Sequence, residues 1–172
     1  MGEITVVLGG TRSGKSRFAL ARARELGGDR VTFVATARPG DPDLDERIAG
    51  HRRVRPATWR TLETDSDLAK TLALADPNDV LLIDSLTLWV SACLDVGADV
   101  RAGWDAASAL LAGRGPAIVV VSDEVGLGVM PPNALARRFL DELGMLHQRI
   151  AAQASRVVLV VAGVPVAVRG AP

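Results

Sequence analysis

Apolar residues fall along this chain in short, unbroken runs instead of strict alternation. Ile4 to Leu8, Val31 to Ala35, Val80 to Ile83, Ala117 to Val121 and Arg156 to Val161 each read as a strand. Runs of this kind, rich in β-branched residues, belong to strands covered on both faces, hence to a mainly parallel sheet. Val164 to Val168 follows the last run after a short turn and is expected as an antiparallel edge strand. Between these runs the apolar spacing turns helical. Helices are expected after residue 16, with Phe18, Ala19, Ala21, Ala23 and Leu26 forming the first and Gly27-Gly28 stopping it. Further helices are expected over Pro42 to about Arg52, Ser66 to Leu74, Leu86 to Leu94, Trp104 to Leu111 and Ala134 to Ala154. Asn133 is the expected N-cap of the last. Gly97 to Gly103 reads as a turn-rich loop. The expected fold class is α/β: a mainly parallel sheet flanked by helices in one domain spanning 1–172.

Composition narrows the function classes. Hydrophobic residues make up 48% of the chain, and the 20 basic and 20 acidic residues cancel. No bulk charge draws the protein to nucleic acid or to an anionic membrane. The long apolar stretch from Val157 to Val168 is broken by Gly163 and Pro165 and is too short to span a bilayer. No secretory leader is read at the N-terminus, where Glu3 stands two residues after the methionine. The single cysteine, Cys93, reads as a small core residue and fits a reducing cytoplasm.

The first strand runs into "LGGTRSGKS", residues 8–16. Gly9, Gly14, Lys15 and Ser16 satisfy the pattern of a phosphate-binding loop, and strand, glycine loop and helix follow in the order such a loop needs. Its glycines let backbone N–H groups curl around phosphate oxygens, and the helix N-terminus adds partial positive charge. Lys15 is placed to reach the β and γ phosphates and Ser16 to ligate Mg²⁺. Only two lysines occur, Lys15 and Lys70, the other basic residues being arginines, so a lysine here is not background composition. This points to a P-loop NTPase of RecA-like type.

In such sheets ligands gather at the carboxyl ends of strands. Asp84 ends the third apolar run, where a P-loop protein usually carries its second Mg²⁺-linked carboxylate; a helix N-cap is the competing role, one Ser85 can also fill. "SDEVGLGVMPPN", residues 122–133, is a long loop at another strand end, with Asp123 and Glu124 expected to face the same cleft. In "DPDLDERIAGHRRVRPATWRTLE", residues 41–63, His51 stands among Arg52, Arg53 and Arg55. A solvated basic face is the plain interpretation. Alternatively, the guanidiniums hold a triphosphate and keep His51 neutral and nucleophilic. The other histidine, His147, reads as a surface or hydrogen-bonded residue of the long helix.

With these segments the chain resembles the bifunctional adenosylcobinamide kinase/adenosylcobinamide-phosphate guanylyltransferases of cobalamin biosynthesis. The resemblance rests on "GGTRSGKSRFA", "VATARPGDPDLDERIAGHRRVRPATWRTLE", "LLIDSLTLWV", "SDEVGLGVMPPNALARRFLDELGMLHQRIA" and "VVLVVAGVPV". The histidine segment with R-P-x-x-W and the E-V-G-x-G-x-x-P loop are its specific parts. It implies two reactions. A nucleoside triphosphate, ATP or GTP, phosphorylates the aminopropanol hydroxyl of adenosylcobinamide. GTP then gives its GMP part to that phosphate through a guanylylated histidine, which maps onto His51. It implies GTP binding by Gly10, Thr11, Arg12, Ser13, Gly14, Lys15, Ser16 and Arg17, by Ala37, Arg38 and Pro39, by Arg52, Arg53, Val54 and Arg55, and by Glu63 and Asp84. Ser16 and Asp84 would hold Mg²⁺. It also implies a corrinoid substrate and a homo-oligomer, by resemblance a trimer. Gly50 stands where some members carry a second histidine, and the stretch from Asp95 to Gly115 is shorter than in some members. A plain small-molecule P-loop kinase and a non-enzymatic GTP-binding switch are the alternatives.

Overall fold

A computed structural model describes residues 2–37, 49–50 and 52–171. The expected helix over Pro42 to Arg52 lies mostly outside these residues; of its last part, 49, 50 and 52 are helical. The elements in chain order are β1 (Ile4–Gly9), α1 (Lys15–Gly27), β2 (Val31–Ala35), β3 (Arg60–Glu63), α2 (Leu68–Leu72) and β4 (Val80–Asp84). There follow α3 (Leu86–Asp95), α4 (Val100–Ala112), β5 (Ile118–Asp123), α5 (Ala134–Gln153), β6 (Arg156–Val161) and β7 (Val164–Arg169).

The strands form one sheet in the order β3-β2-β4-β5-β1-β6-β7. Every neighbouring pair is parallel except β6 and β7. The continuous apolar runs are therefore explained: Val6, Val7, Leu81, Leu82, Val119 and Val120 are almost wholly buried, with side chains leaving both faces of the sheet. One face packs Val7, Phe33, Leu82, Val119, Val121 and Val160 against Ala19 and Ala23 of α1. Small residues on α1 let the helix carrying the glycine loop lie close on the sheet. The other face packs Val6, Val34, Ile83 and Val120 under helices that supply Leu68, Trp89, Trp104, Leu143 and Ile150. Trp89 and Trp104 meet edge-on with centroids 6.4 Å apart, an arrangement worth about 0.5–1.5 kcal/mol beyond area burial. Cys93 is buried in the same layer.

Three local expectations change. The loop expected over Gly97 to Gly103 is helical from Val100, because the Asp99 carboxylate accepts from the Ala102 amide at 2.9 Å and caps α4. The helix expected over Ser66 to Leu74 narrows to α2, with Asp67, not Ser66, as its N-cap, accepting from the Lys70 amide at 3.0 Å. The strand β3 was not anticipated. It is a four-residue edge with mostly exposed side chains, so it carries no apolar run, and it is a strand because it pairs with β2 from Thr32↔Arg60 to Ala35↔Glu63. Asn133 caps α5 as expected, accepting from Ala136 N at 2.7 Å.

Candidate active site

The sheet brings four segments to one edge. The loop between β1 and α1, the end of β2, the ends of β4 and β5, and a group made of Gly50, Arg52, Arg55, Thr61 and Glu63 line a cleft of about 530 Å³. Gly14 forms the tight corner of the loop with φ +95°, and a Cβ there would stand 3.2 Å from the Cα of Gly163. Only glycine fits both conditions. The β6–β7 turn braces the loop from outside, since Gly163 N–H donates to Ser13 C=O at 2.8 Å.

Lys15 is the first residue of α1. Its ammonium lies 2.5 Å from Asp123 Oδ1 and donates to Gly10 C=O at 3.4 Å. Asp123 ends β5, directly beside Gly9 of β1. The strand pairing thus joins two residues more than a hundred positions apart. Asp123 N–H donates to Thr87 Oγ1 at 2.7 Å, Thr87 and Ser122 hydroxyls are 3.2 Å apart, and Ser122 Oγ is 2.7 Å from His147 Nε2. His147 is accordingly a half-buried, hydrogen-bonded histidine beneath the end of β5. Burial lowers its pKa from the ordinary 6.5, while Glu124 and Asp123 oppose the shift. The unfolded chain then binds more protons than the folded one as pH falls below 6.5, so stability is lost on that side and full above it. In His147→Asn, which keeps a hydrogen-bonding side chain without that titration, the urea midpoint should fall less steeply below pH 6.5 than in wild type. Parallel midpoint curves for the two proteins would refute this.

On the opposite wall Arg55 lays its guanidinium over the Phe33 ring, 3.6 Å from the centroid, and donates to Thr61 Oγ1 at 2.7 Å. Burial, and then Arg52, lower its pKa, with Asp84 and Glu63 opposing; an arginine stays charged regardless. Arg52 pairs with Glu63 at 2.8 Å. Among the described residues the lining carries five basic ones (Arg12, Lys15, Arg17, Arg52 and Arg55) against three acidic ones (Glu63, Asp84 and Asp123). A chain of zero net charge has therefore concentrated positive charge where a polyanion would enter.

Of the residues expected at the site, Thr11 to Arg17, Ala37, Arg52, Arg55, Glu63 and Asp84 line this cleft. Gly10, Arg53 and Val54 do not line it, although Gly10 meets Lys15 through its carbonyl. His51, Arg38 and Pro39 lie outside the described residues. Asp84 is the last residue of β4, and the N-cap of α3 is Ser85, whose side chain makes no cap bond. The capping role considered for Asp84 thus falls to its neighbour. Ser16 and Asp84 offer a hydroxyl and a carboxylate to one cleft, hard oxygen donors that suit Mg²⁺. Among the described residues no group of three or more His, Cys, Asp or Glu could hold a metal. Asp123, expected to face this cleft as a carboxylate at a strand end, lines it, and Glu124 does not. Phe33, Thr61 and Leu88 also line the cleft and left no signal in the sequence.

Residues 5–168 match the protein family described as cobinamide kinase / cobinamide phosphate guanyltransferase. The chain belongs to that family. It is 45% identical over 173 residues to the bifunctional adenosylcobalamin biosynthesis protein CobP of Pseudomonas aeruginosa, covering 97% of this chain and 98% of the relative. It is 40% identical over 183 residues to CobU of Salmonella typhimurium, covering 95% and 98%. Among solved structures it is similar in fold to the ATP synthase subunit NeqB of Nanoarcheaum equitans (TM-score 0.56, 16% identity, 92% of this chain and 45% of that one). It is also similar to the flagellar accessory protein FlaH of Methanocaldococcus jannaschii (TM-score 0.54, 12% identity, 98% and 78%). At such identities the likeness speaks for the P-loop ATPase fold alone. Among the described residues no helix is long and apolar enough to cross a membrane.

Proposed function

We propose that this family member carries out both transfers in one cytoplasmic catalytic domain, with the nucleotide phosphates held over Lys15 and His51 acting as nucleophile in the second. The match to the bifunctional family over residues 5–168 carries this reading. The positively lined cleft around the glycine loop supports it chemically. In the kinase step the aminopropanol hydroxyl of adenosylcobinamide attacks the γ-phosphorus of ATP or GTP, a P–O bond forms, and the nucleoside diphosphate leaves with the bridging oxygen. In the second step the neutral imidazole of His51 attacks the α-phosphorus of GTP and pyrophosphate leaves. A phosphate oxygen of adenosylcobinamide phosphate then displaces the imidazole, giving adenosylcobinamide-GDP. Storing GMP on nitrogen divides one displacement between two anions into two easier ones.

The chain's own groups serve both attacks. Lys15 and backbone N–H groups of the glycine loop would offset charge that grows on the phosphates in the transition state. The arginines at 12, 17, 52 and 55 add to that field, and Arg53 and Val54 complete the segment next to His51. Ala37, Arg38 and Pro39 would border the nucleotide beyond β2, and Glu63, paired with Arg52, would border it at the end of β3. Mg²⁺ held by Ser16 and Asp84 would supply further charge neutralisation across the phosphates. The partners are the nucleotides and the corrinoid; a homo-oligomer, a trimer by family resemblance, is the expected assembly.

The test is incubation with GTP labelled at the α-phosphate, without corrinoid. Label retained on the protein, with one pyrophosphate released per label and the adduct mapped to His51, is the expected result. Phosphorylation of adenosylcobinamide by a protein that takes up no label would leave a plain kinase instead.

A further inference from the structure

Thr36 is the first residue beyond β2, 2% exposed, next to the point where β4 leaves the sheet. The last pair of the β2–β4 ladder is Ala35↔Asp84. Beyond it the chain turns into α3, and the backbone groups of Ser85, a residue 6% exposed, lose their strand partner on that side. Buried backbone groups need replacement partners. Thr36 supplies them, sharing the Ser85 carbonyl with the Trp89 N–H 3.2 Å away. Its N–H donates to Asp84 C=O at 3.3 Å, its hydroxyl donates to Ser85 C=O at 2.7 Å, and the same hydroxyl accepts from Ser85 N–H at 2.7 Å. Three bonds from one residue thus grip two consecutive residues, and the side chain between them is the cleft carboxylate.

We propose that Thr36 is a positioning residue for Asp84: its amide and hydroxyl fix the backbone at Asp84 and Ser85, so that the carboxylate enters the phosphate cleft in one direction. This rests on the reading of Asp84 as the metal-side carboxylate. A carboxylate on a freely ending strand would have several directions open to it. Here the ladder holds Asp84 from behind, the Thr36 clamp holds Ser85 in front, and Leu86, wholly buried at the start of α3, anchors the chain beyond. Threonine suits the task better than serine, since its branched β-carbon restricts χ1 and keeps the hydroxyl aimed. Residues that orient a metal-side group are usually felt in metal affinity before anything else.

The test compares wild type with Thr36→Val, Thr36→Ser, Thr36→Cys and Asp84→Asn. Binding of a non-hydrolysable GTP analogue is titrated calorimetrically across Mg²⁺ concentrations and in its absence, with thermal midpoints alongside. Thr36→Val keeps the shape and removes the hydroxyl. It should raise the half-saturating Mg²⁺ concentration about tenfold and leave Mg²⁺-free nucleotide affinity unchanged. Thr36→Ser should recover most of that shift. If Thr36→Val does not fold, Thr36→Cys, with a weak thiol donor in place of the hydroxyl, carries the same expectation at reduced size. A lowered thermal midpoint with an unmoved Mg²⁺ requirement would make Thr36 merely structural and overturn the proposal. Equal loss of affinity with and without Mg²⁺ would do the same. If Asp84→Asn moves the Mg²⁺ requirement and Thr36→Val does not, this inference fails alone. If neither moves it, the assignment of Asp84 fails with it.

Discussion

His51→Ala is expected to abolish guanylyl transfer while the kinase step continues near the wild-type rate. The two steps use different nucleophiles. At the γ-phosphorus the attacking atom is the side-arm hydroxyl of the corrinoid, and the imidazole takes no part. At the α-phosphorus the imidazole is the attacking atom, so without it no P–N bond forms. The variant should retain no label from α-labelled GTP, release no pyrophosphate and make no adenosylcobinamide-GDP, yet accumulate adenosylcobinamide phosphate. In wild type the adduct should be labile to acid and stable to alkali, as a phosphoramidate is and an acyl phosphate is not. Separation of the two activities is the informative outcome. Loss of both would mean that residue 51 supports the shared phosphate site; adduct formation in the variant would move the nucleophile elsewhere.

The parts of this protein that could be read from its residues are those whose chemistry is local. Buried strands announce themselves as unbroken apolar runs, and all five such runs are strands of the sheet. The phosphate loop is visible because its glycines, lysine and serine occur at fixed spacing within nine residues. β3 left no trace because an exposed edge strand buries little and is defined by its partner. The first turn of α4 was hidden because a single carboxylate, Asp99, starts the helix inside a glycine-rich stretch. The site shows the same division. Lys15, Ser16 and Asp84 stand out through motif and strand end. The Lys15–Asp123 pair depends on β1 lying next to β5, the grip of Thr36 on Ser85 on β2 lying next to β4, and the His147–Ser122 bond on α5 crossing beneath the sheet. Adjacency of strands distant in sequence has no signature in the residues themselves, so these supporting contacts emerge only from the folded chain.

Lys15→Ala is expected to slow both transfers by about 10²–10³-fold, the second large effect. The ammonium serves whichever phosphorus is attacked, because it faces oxygens that gain charge in either displacement. Its partner adds to the effect. In the wild-type cleft the Asp123 carboxylate lies 2.5 Å from Lys15, and neither group is more than a quarter exposed. Removal of the lysine leaves that carboxylate facing the incoming triphosphate without its counter-ion, so nucleotide affinity should fall along with the chemical rate. The two contributions separate in Lys15→Ala/Asp123→Asn. Neutralising the stranded carboxylate should recover part of the loss in KM for GTP, while kcat stays low because the transition-state donor is still missing. Equal KM in the single and double variants would show that Asp123 does not act on the nucleotide. Near-normal kinase turnover in Lys15→Ala would remove the loop from the phosphate site altogether, since no other lysine lines this cleft and the arginines at 12 and 17 approach from exposed positions.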